Sequence, residues 1–472
     1  MTDTPGSTAT AAREVPRDDL SAVIKAYDVR GVVGEQIDAA LVREVGAALA
    51  RLLRAESAET GVVVVGHDMR PSSPELVDAF AGGVAAHGLD VVNIGLASTD
   101  MLYFASGALD VPGAMFTASH NPARYNGIKL CRAGAAPIGA DTGLATIRKA
   151  VEQGVPAPAP GTVPGTVEKR DMLADYAAYV CGLVDLSTSR PLRVVVDAGN
   201  GMAGYTVPEV LAGLPLEVVP LYFELDGTFP NHEANPLDPA NLVDLQKAVV
   251  AEGADIGLAF DGDADRCFVI DERGEPVSPS AITGLVAVRE LAKSPGSSVI
   301  HNLITSHAVP EIVAEHGGTP VRTRVGHSYI KQVMAETGAV FGGEHSAHYY
   351  FRDFWRADSG MLAALHVLAA LGESDGPLSA LMADYERYTA SGEVNSTVAD
   401  ARGKIAEIKE RYGAQTGVTT DELDGLTVGL PDGSWFNLRP SNTEPLLRLN
   451  VEAADAETMA ALRDEVLAAV RA

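Results

Sequence analysis

At 472 residues the chain has room for about three or four domains of roughly 100–200 residues each, and 46% hydrophobic with 21% charged residues is the balance of a well-cored globular protein. A formal charge of −27 argues against nucleic acid or an anionic membrane surface as partner, because both need a basic footprint; an anionic small substrate would need cations gathered locally against that field. Three widely spaced cysteines, Cys131, Cys181 and Cys267, make neither a disulfide framework nor a zinc pattern, which fits a reducing compartment.

Residues 1–19 are rich in Thr, Ala, Ser and Pro and lack an apolar segment, so they read as a disordered leader rather than a signal peptide. No later run is long enough to span a bilayer, and a cytoplasmic protein is expected. From 20 to 153 strand-like and helix-like runs alternate: Val62–Val65 as a buried strand, Glu75–His87 as a helix, Asp90–Ile94 as the next strand. This alternation predicts an α/β layer with parallel strands. The proline-rich stretch 154–166 reads as a semi-rigid linker. A second α/β unit, 167–270, opens its core with Arg193–Asp197, and a third, 271–377, contains the strand Val299–Ile304. The remainder, 378–472, has a different pattern: a helix over Arg402–Tyr412, strands on either side of Asp432-Gly433, and a terminal helix from Ala456. It reads as a small α+β unit.

Within this frame four segments carry chemistry. Thr117-Ala118-Ser119-His120-Asn121-Pro122 follows the apolar run Gly113–Phe116, so Ser119 lies just past a strand end, where α/β folds place ligand crevices. Serine there is either a nucleophile or a helix-capping turn residue. Asn126-Gly127-Ile128-Lys129 follows, read as a turn and then a cation. Next, Asp261-Gly262-Asp263-Ala264-Asp265-Arg266 joins two apolar runs that read as strands. Such an acidic turn is merely solvated or holds a cation. Three carboxylates in five residues repel unless neutralised, and hard oxygen ligands suit Mg²⁺ or Ca²⁺ rather than zinc. An EF-hand loop is excluded, because its sixth position would be Arg266 instead of glycine.

In the third segment, Gly342–His348, the residues Glu344, Ser346 and His348 alternate; on an extended strand they would share one face and suit sugar hydroxyls, or simply be a solvated polar strand. The fourth, Arg439-Pro440-Ser441-Asn442-Thr443-Glu444-Pro445, lies between two strand candidates and is either an anion nest or a polar hairpin connection, with Arg448 able to add a second charge. Two weaker segments, Tyr27–Gly31 with Arg30 and Arg324–His327, put a cation or imidazole beside glycine.

Together, TASHNP at 117–122, DGDADR at 261–266, GEHSAH at 343–348 and RPSNTEP at 439–445 resemble the motifs of the α-D-phosphohexomutases, one per successive domain. YDVRG at 27–31, YNGIK at 125–129, DAGNG at 197–201 and FPNHEANPL at 229–237 add to the resemblance, which covers everything after residue 20. The sugar-reading loop with YFRDF at 350–354 is most like bacterial phosphomannomutases, some of which also accept glucose phosphates; Ala347 stands where many members have glycine.

The resemblance implies three related mixed α/β domains plus a C-terminal α+β domain of the TATA-binding-protein-like type, around a central cleft. It implies interconversion of mannose 6-phosphate and mannose 1-phosphate through a phosphoserine and a hexose 1,6-bisphosphate, which also serves as primer. By resemblance Ser119 is the phosphorylated residue, and Asp261, Asp263 and Asp265 hold one Mg²⁺ with the Ser119 phosphate. Arg266 sits beside that phosphate, and Arg30, His120, Lys129 and His348 serve proton transfer and charge stabilisation. Glu344, Ser346 and His327 read the sugar, while Arg439, Ser441, Asn442, Thr443 and Arg448 bind the resting phosphate. A monomer or weak homodimer is expected. Phosphoglucomutase and phosphoglucosamine mutase are the neighbouring alternatives; an aspartyl-phosphate phosphatase and a non-catalytic sugar-phosphate-binding protein are the different-class ones.

Overall fold

The structure is a computed structural model that describes residues 16–440 and 446–472, without the side chains of His327 and Ser328. Four sheets follow one another along the chain. In the first, Val62–His67 is central, parallel to Asp90–Leu96 on one side and to Gly113–Phe116 on the other. Tyr125–Arg132 then pairs antiparallel with Gly113–Phe116, and Val29–Val32 closes that edge. The valine run at 62–65, buried from Val63 onward, explains the central position: apolar on both faces, it is covered by helices on both sides. The helix after it, Ser73–Ala86, begins with proline in its first turn, where a missing N–H costs nothing.

Two expectations change here. Asn126-Gly127 is not a turn but lies within the strand Tyr125–Arg132, where Gly127 is squeezed so closely that a Cβ would sit 2.3 Å from the Val29 carbonyl oxygen. The stretch 154–166 does not end the first unit either. The chain returns through Val167–Lys169, which pairs in parallel with Asp90–Leu96 at the edge of the first sheet. Of the expected leader, residues 1–15 lie outside the described residues; Arg17 already pairs with Glu44, and Leu20 is buried.

The second sheet runs Pro276–Val277, Cys267–Asp271, Ile256–Phe260, Leu192–Asp197, Leu216–Leu221, so its last short strand extends past the expected boundary at 270. The third sheet is built from Thr319–Thr323, Ser298–Asn302, Phe341–Gly343, Tyr349–Phe351 and Ala357–Asp358. The fourth is wholly antiparallel, with Thr389–Thr397, Leu446–Ala453, Trp435–Pro440, Leu426–Gly429 and Thr419–Asp421 packed under the helices Ala401–Gly413 and Ala456–Arg471.

The three α/β units interlock. Asp100 of the first, wholly buried, accepts hydrogen bonds from Tyr176 Oη of the second (2.7 Å) and Ser359 Oγ of the third (2.7 Å). Trp355 lies so tightly on Gly107 that a Cβ there would be 2.2 Å from the indole, and Phe104, Tyr179 and Phe354 complete that aromatic joint. The fourth unit docks through Glu452, whose Oε1 accepts from the His307 amide (2.9 Å) and from Trp435 Nε1 (2.9 Å). Among the described residues no helix is long and apolar enough to cross a membrane.

Candidate active site

The loops that follow strands Gly113–Phe116 and Ile256–Phe260 meet face to face. Ser119 Oγ donates to Asp261 Oδ2 at 2.9 Å and lies 3.2 Å from His120 Nδ1. The approach is backbone to backbone: a Cβ on Gly262 would stand 2.5 Å from the Ser119 carbonyl oxygen, so only glycine fits. Both loops hold non-glycine residues in the left-handed region, Ser119 with φ 49° and Ala264 with φ 59°. Such backbone costs about 1–3 kcal/mol per residue and persists where surrounding structure imposes it.

Asp261, Asp263 and Asp265 are all buried, and one oxygen from each lies within 4.8 Å of the others. Lys129 Nζ donates to Asp263 Oδ2 (2.7 Å) and Asp265 Oδ2 (2.6 Å), and Arg266 pairs with Asp261 Oδ2 (2.9 Å). Two cations therefore face three carboxylates. Asp263 Oδ1 and Asp265 Oδ1 are buried with no hydrogen-bond partner, and this surplus of orphaned hard oxygen fits a divalent cation such as Mg²⁺. The electrostatics agree: burial pushes the Asp261 carboxyl up to about 7, Arg266 opposing and its two aspartate neighbours adding. Against its own burial, Lys129 and Thr99 hold Asp263 far below the ordinary carboxylate range, while Asp263 and Asp265, against desolvation, hold the Lys129 ammonium well above the usual lysine.

Arg266 Nη2 donates to His120 Nδ1 (2.6 Å), which places the proton of a neutral ring on Nε2. Burial, reinforced by Arg266 and Arg30, pushes His120 well below the usual histidine value. Arg30 reaches the same loop, donating to Asn121 Oδ1 at 2.7 Å.

The segment Glu344–His348 is a tight turn, not the extended strand its alternation suggested. The Ala347 amide bonds back to the Glu344 carbonyl (3.1 Å), and Ala347 has φ 64°. The turn still gathers the expected side chains, by curvature rather than by period: Ser346 Oγ lies 3.1 Å and Glu344 Oε1 3.9 Å from His348 Nδ1. His348 Nε2 in turn lies 3.8 Å from Asp265, joining this loop to the aspartates. Glu344 is fixed by Tyr350 Oη (2.6 Å) and Asn302 Nδ2 (3.1 Å).

Arg439 and Arg448 share Glu393 at 3.5 and 3.6 Å. With Tyr27 of the first unit and Arg324 of the third they line a cavity of about 770 Å³. Ser441, Asn442 and Thr443 fall outside the described residues, and of His327 only its place as first residue of the helix His327–Thr337 is described. Three residues of the site escaped the sequence reading. Thr99 donates its hydroxyl to Asp263 Oδ2 and its amide to the Asp263 carbonyl oxygen (2.9 Å). Asp68 and Arg70, just past the strand Val62–His67, brace the Ser119 loop. The polar run His67–Ser73 at a central strand end was the signal that could have found the last two.

A serine hydroxyl against a buried carboxylate triplet, with cations on both flanks and a second cationic pocket, defines an enzyme of phosphoryl transfer. The chain belongs to the phosphoglucomutase/phosphomannomutase family: the models of its α/β/α domains I, II and III match residues 21–156, 174–274 and 278–388, and that of its C-terminal domain matches 393–469. Like its relatives it is an isomerase. It is 43% identical over 431 residues to a protein named phosphohexose mutases from Xanthomonas campestris pv. campestris, covering 91% of this chain and 94% of that one. A phosphomannomutase of Escherichia coli is 40% identical over 457 residues, covering 95% and 98%. The crystal structure of a phosphoglucomutase/phosphomannomutase family protein from Burkholderia thailandensis superposes with TM-score 0.86 at 33% identity, covering 95% and 97%.

Proposed function

We propose that the enzyme interconverts the 6- and 1-phosphates of mannose, and accepts the glucose phosphates as well, by passing a phosphoryl group between Ser119 Oγ and the sugar. The observation that carries this reading is the 2.9 Å contact of Ser119 Oγ with Asp261 inside the aspartate triplet. The triplet would hold Mg²⁺, which when bound draws charge from phosphoryl oxygens.

The chain's own residues divide the remaining work. Arg266, on Asp261, and Lys129, on Asp263 and Asp265, supply fixed positive charge around the aspartates that Ser119 faces. Phosphoserine gives its phosphoryl group to the free hydroxyl of a hexose monophosphate, yielding the 1,6-bisphosphate and a free Ser119 hydroxyl. After the bisphosphate turns over, the other phosphate returns to Ser119, and the isomeric monophosphate leaves. His120, with its ring held neutral by burial, and His348 beside Asp265 are the groups placed to move the hydroxyl proton. Glu344 and Ser346 offer an acceptor and a hydroxyl to the sugar, and Arg439 with Arg448 hold the resting phosphate.

An aspartyl-phosphate phosphatase with Asp261 as nucleophile is disfavoured, because Asp261 already accepts at Oδ1 from the Arg266 amide and at Oδ2 from Ser119 and Arg266. For one that would use Asp263, whose Oδ1 has no hydrogen-bond partner, the Ser119→Ala variant decides. The test is a coupled assay on mannose 1-phosphate and glucose 1-phosphate with Mg²⁺ and a bisphosphate primer. Ser119→Ala should abolish turnover; release of inorganic phosphate at an undiminished rate by that variant would refute the mutase reading. Turnover of a glucosamine phosphate alone would refute the substrate assignment.

A further inference from the structure

Arg70 lies outside every motif that carries the family likeness, yet it is among the largest side chains in the protein with almost no access to solvent, 1% exposed. A guanidinium has five N–H donors in a rigid plane, and burying one demands that all be met. Here all five are. Nε donates to Asp68 Oδ2 (3.0 Å), Nη1 to the carbonyls of Pro122 (2.9 Å) and Tyr125 (3.0 Å), and Nη2 to those of Ser119 (2.9 Å) and Asn121 (2.7 Å). Four of the five thus end on backbone oxygens of the segment that carries Ser119.

The anchor behind this fork is itself rigid. Asp68 is wholly buried and accepts from the Arg70 amide (3.0 Å) and Ser73 Oγ (2.7 Å). The second unit closes the other side: the Phe229 ring centroid is 5.2 Å from Cζ, and Gly227 approaches so closely that a Cβ would lie 2.5 Å from Arg70 Cα. The held segment is the one whose serine adopts φ 49°, a conformation that serine does not keep unaided.

We propose that Arg70 is a positioning residue for phosphoryl transfer: its fork fixes the Ser119 backbone so that Oγ stays against Asp261, and Gly227 and Phe229 tie that hold to the unit bearing the metal loop. The proposal rests on the mutase reading of Ser119. Phosphoryl transfer depends on placement more than on covalent chemistry by the protein, so a loosened serine should slow turnover without weakening substrate binding.

Arg70→Lys keeps the charge beside Asp68 but offers three donors on one atom, which cannot serve acceptors spread around a planar fork. The expected result is a kcat lowered about 100-fold with KM within about twofold. In the same variant, free of substrate, the amides of 118–121 should exchange hydrogen at least about tenfold faster while those of strand Val62–His67 hold their rates. Wild-type kcat, a loss expressed as raised KM, or unchanged exchange at 118–121 would each overturn the proposal. If Arg70→Lys does not fold, Phe229→Leu decides, since it removes the ring and keeps every hydrogen bond: exchange at 118–121 about threefold faster with kcat about threefold lower supports the proposal, and no change in either refutes it. Absence of mutase turnover in the wild type would sink the functional reading alone, because the exchange measurement needs no substrate.

Discussion

Gly262→Ala isolates the most demanding contact in the site. The added methyl carbon would stand 2.5 Å from the Ser119 carbonyl oxygen, where ordinary contact begins at 3.4 Å, so the loops of the first and second units must part by about 1 Å. Neither side yields cheaply, because the obstructing atom is backbone held by Arg70. The separation would stretch the 2.9 Å hydrogen bond from Ser119 to Asp261 beyond useful length. A displacement of this size costs on the order of 100-fold in rate, about 2.7 kcal/mol of barrier, and overpacking removes about 1–3 kcal/mol of stability. The assay is the coupled mutase reaction at saturating substrate and primer, with thermal unfolding in parallel; KM should hold, since Arg439 and Arg448, proposed to hold the resting phosphate, lie on the fourth unit. A variant with kcat within about twofold of wild type and an unchanged Tm would show that the two loops have slack, and the backbone-contact reasoning would fail.

Gly182→Ala provides the opposite case: it lies in the helix Leu173–Leu183 with nothing within 4 Å of its would-be Cβ, so Tm should rise, by up to about 1 kcal/mol of stability, with kcat unaltered. Asp100 has its carboxyl pushed up to about 6 by burial, against 3.8 in an unfolded chain. Between those values the native state binds more protons than the unfolded one, so this group's stabilisation is full below about pH 4 and is lost as pH rises through 6, about 3 kcal/mol in all. Comparing urea midpoints of wild type and Asp100→Asn from pH 4.5 to 7 should show the difference moving in the variant's favour; a constant difference would mean that its three hydroxyl donors, Tyr176, Ser359 and Ser98, fully offset burial. Arg448→Gln should raise KM about tenfold with kcat nearly constant, as loss of uniform phosphate binding requires; a fall in kcat at constant KM would place Arg448 in the chemistry instead.

What the sequence disclosed was local. The aspartate triplet and Ser119 could be read because each lies at a strand end within a few residues of its own chemistry, and the structure adds only that the two loops touch. Alternation grouped Glu344, Ser346 and His348 for the wrong reason. Their alternation suggested a strand, but the left-handed Ala347 bends the segment into a turn, and nothing in an alanine announces positive φ. Arg70 was invisible because its role is defined by four carbonyl oxygens some 50 residues away, and a carbonyl has no sequence signature. The unit boundaries slipped for a related reason. Val167–Lys169 is exposed along its whole length and Pro276–Val277 is two residues long, so neither carries a hydrophobic period, and both are strands only by virtue of their partners.

The left-handed residues Ser119, Ala264 and Ala347 come one from each α/β unit, and the loops of the first two are pressed together across the boundary between units, Gly262 against the Ser119 carbonyl. A unit folded by itself would lack the neighbour that imposes its loop's shape, and relaxing that loop would release about 1–3 kcal/mol. Catalytic competence is therefore a readout of complete assembly. A chain caught midway through folding, with two units docked and the third still loose, should carry a recognisable fold and no activity, so partly folded molecules cannot mishandle a reactive phosphoryl group.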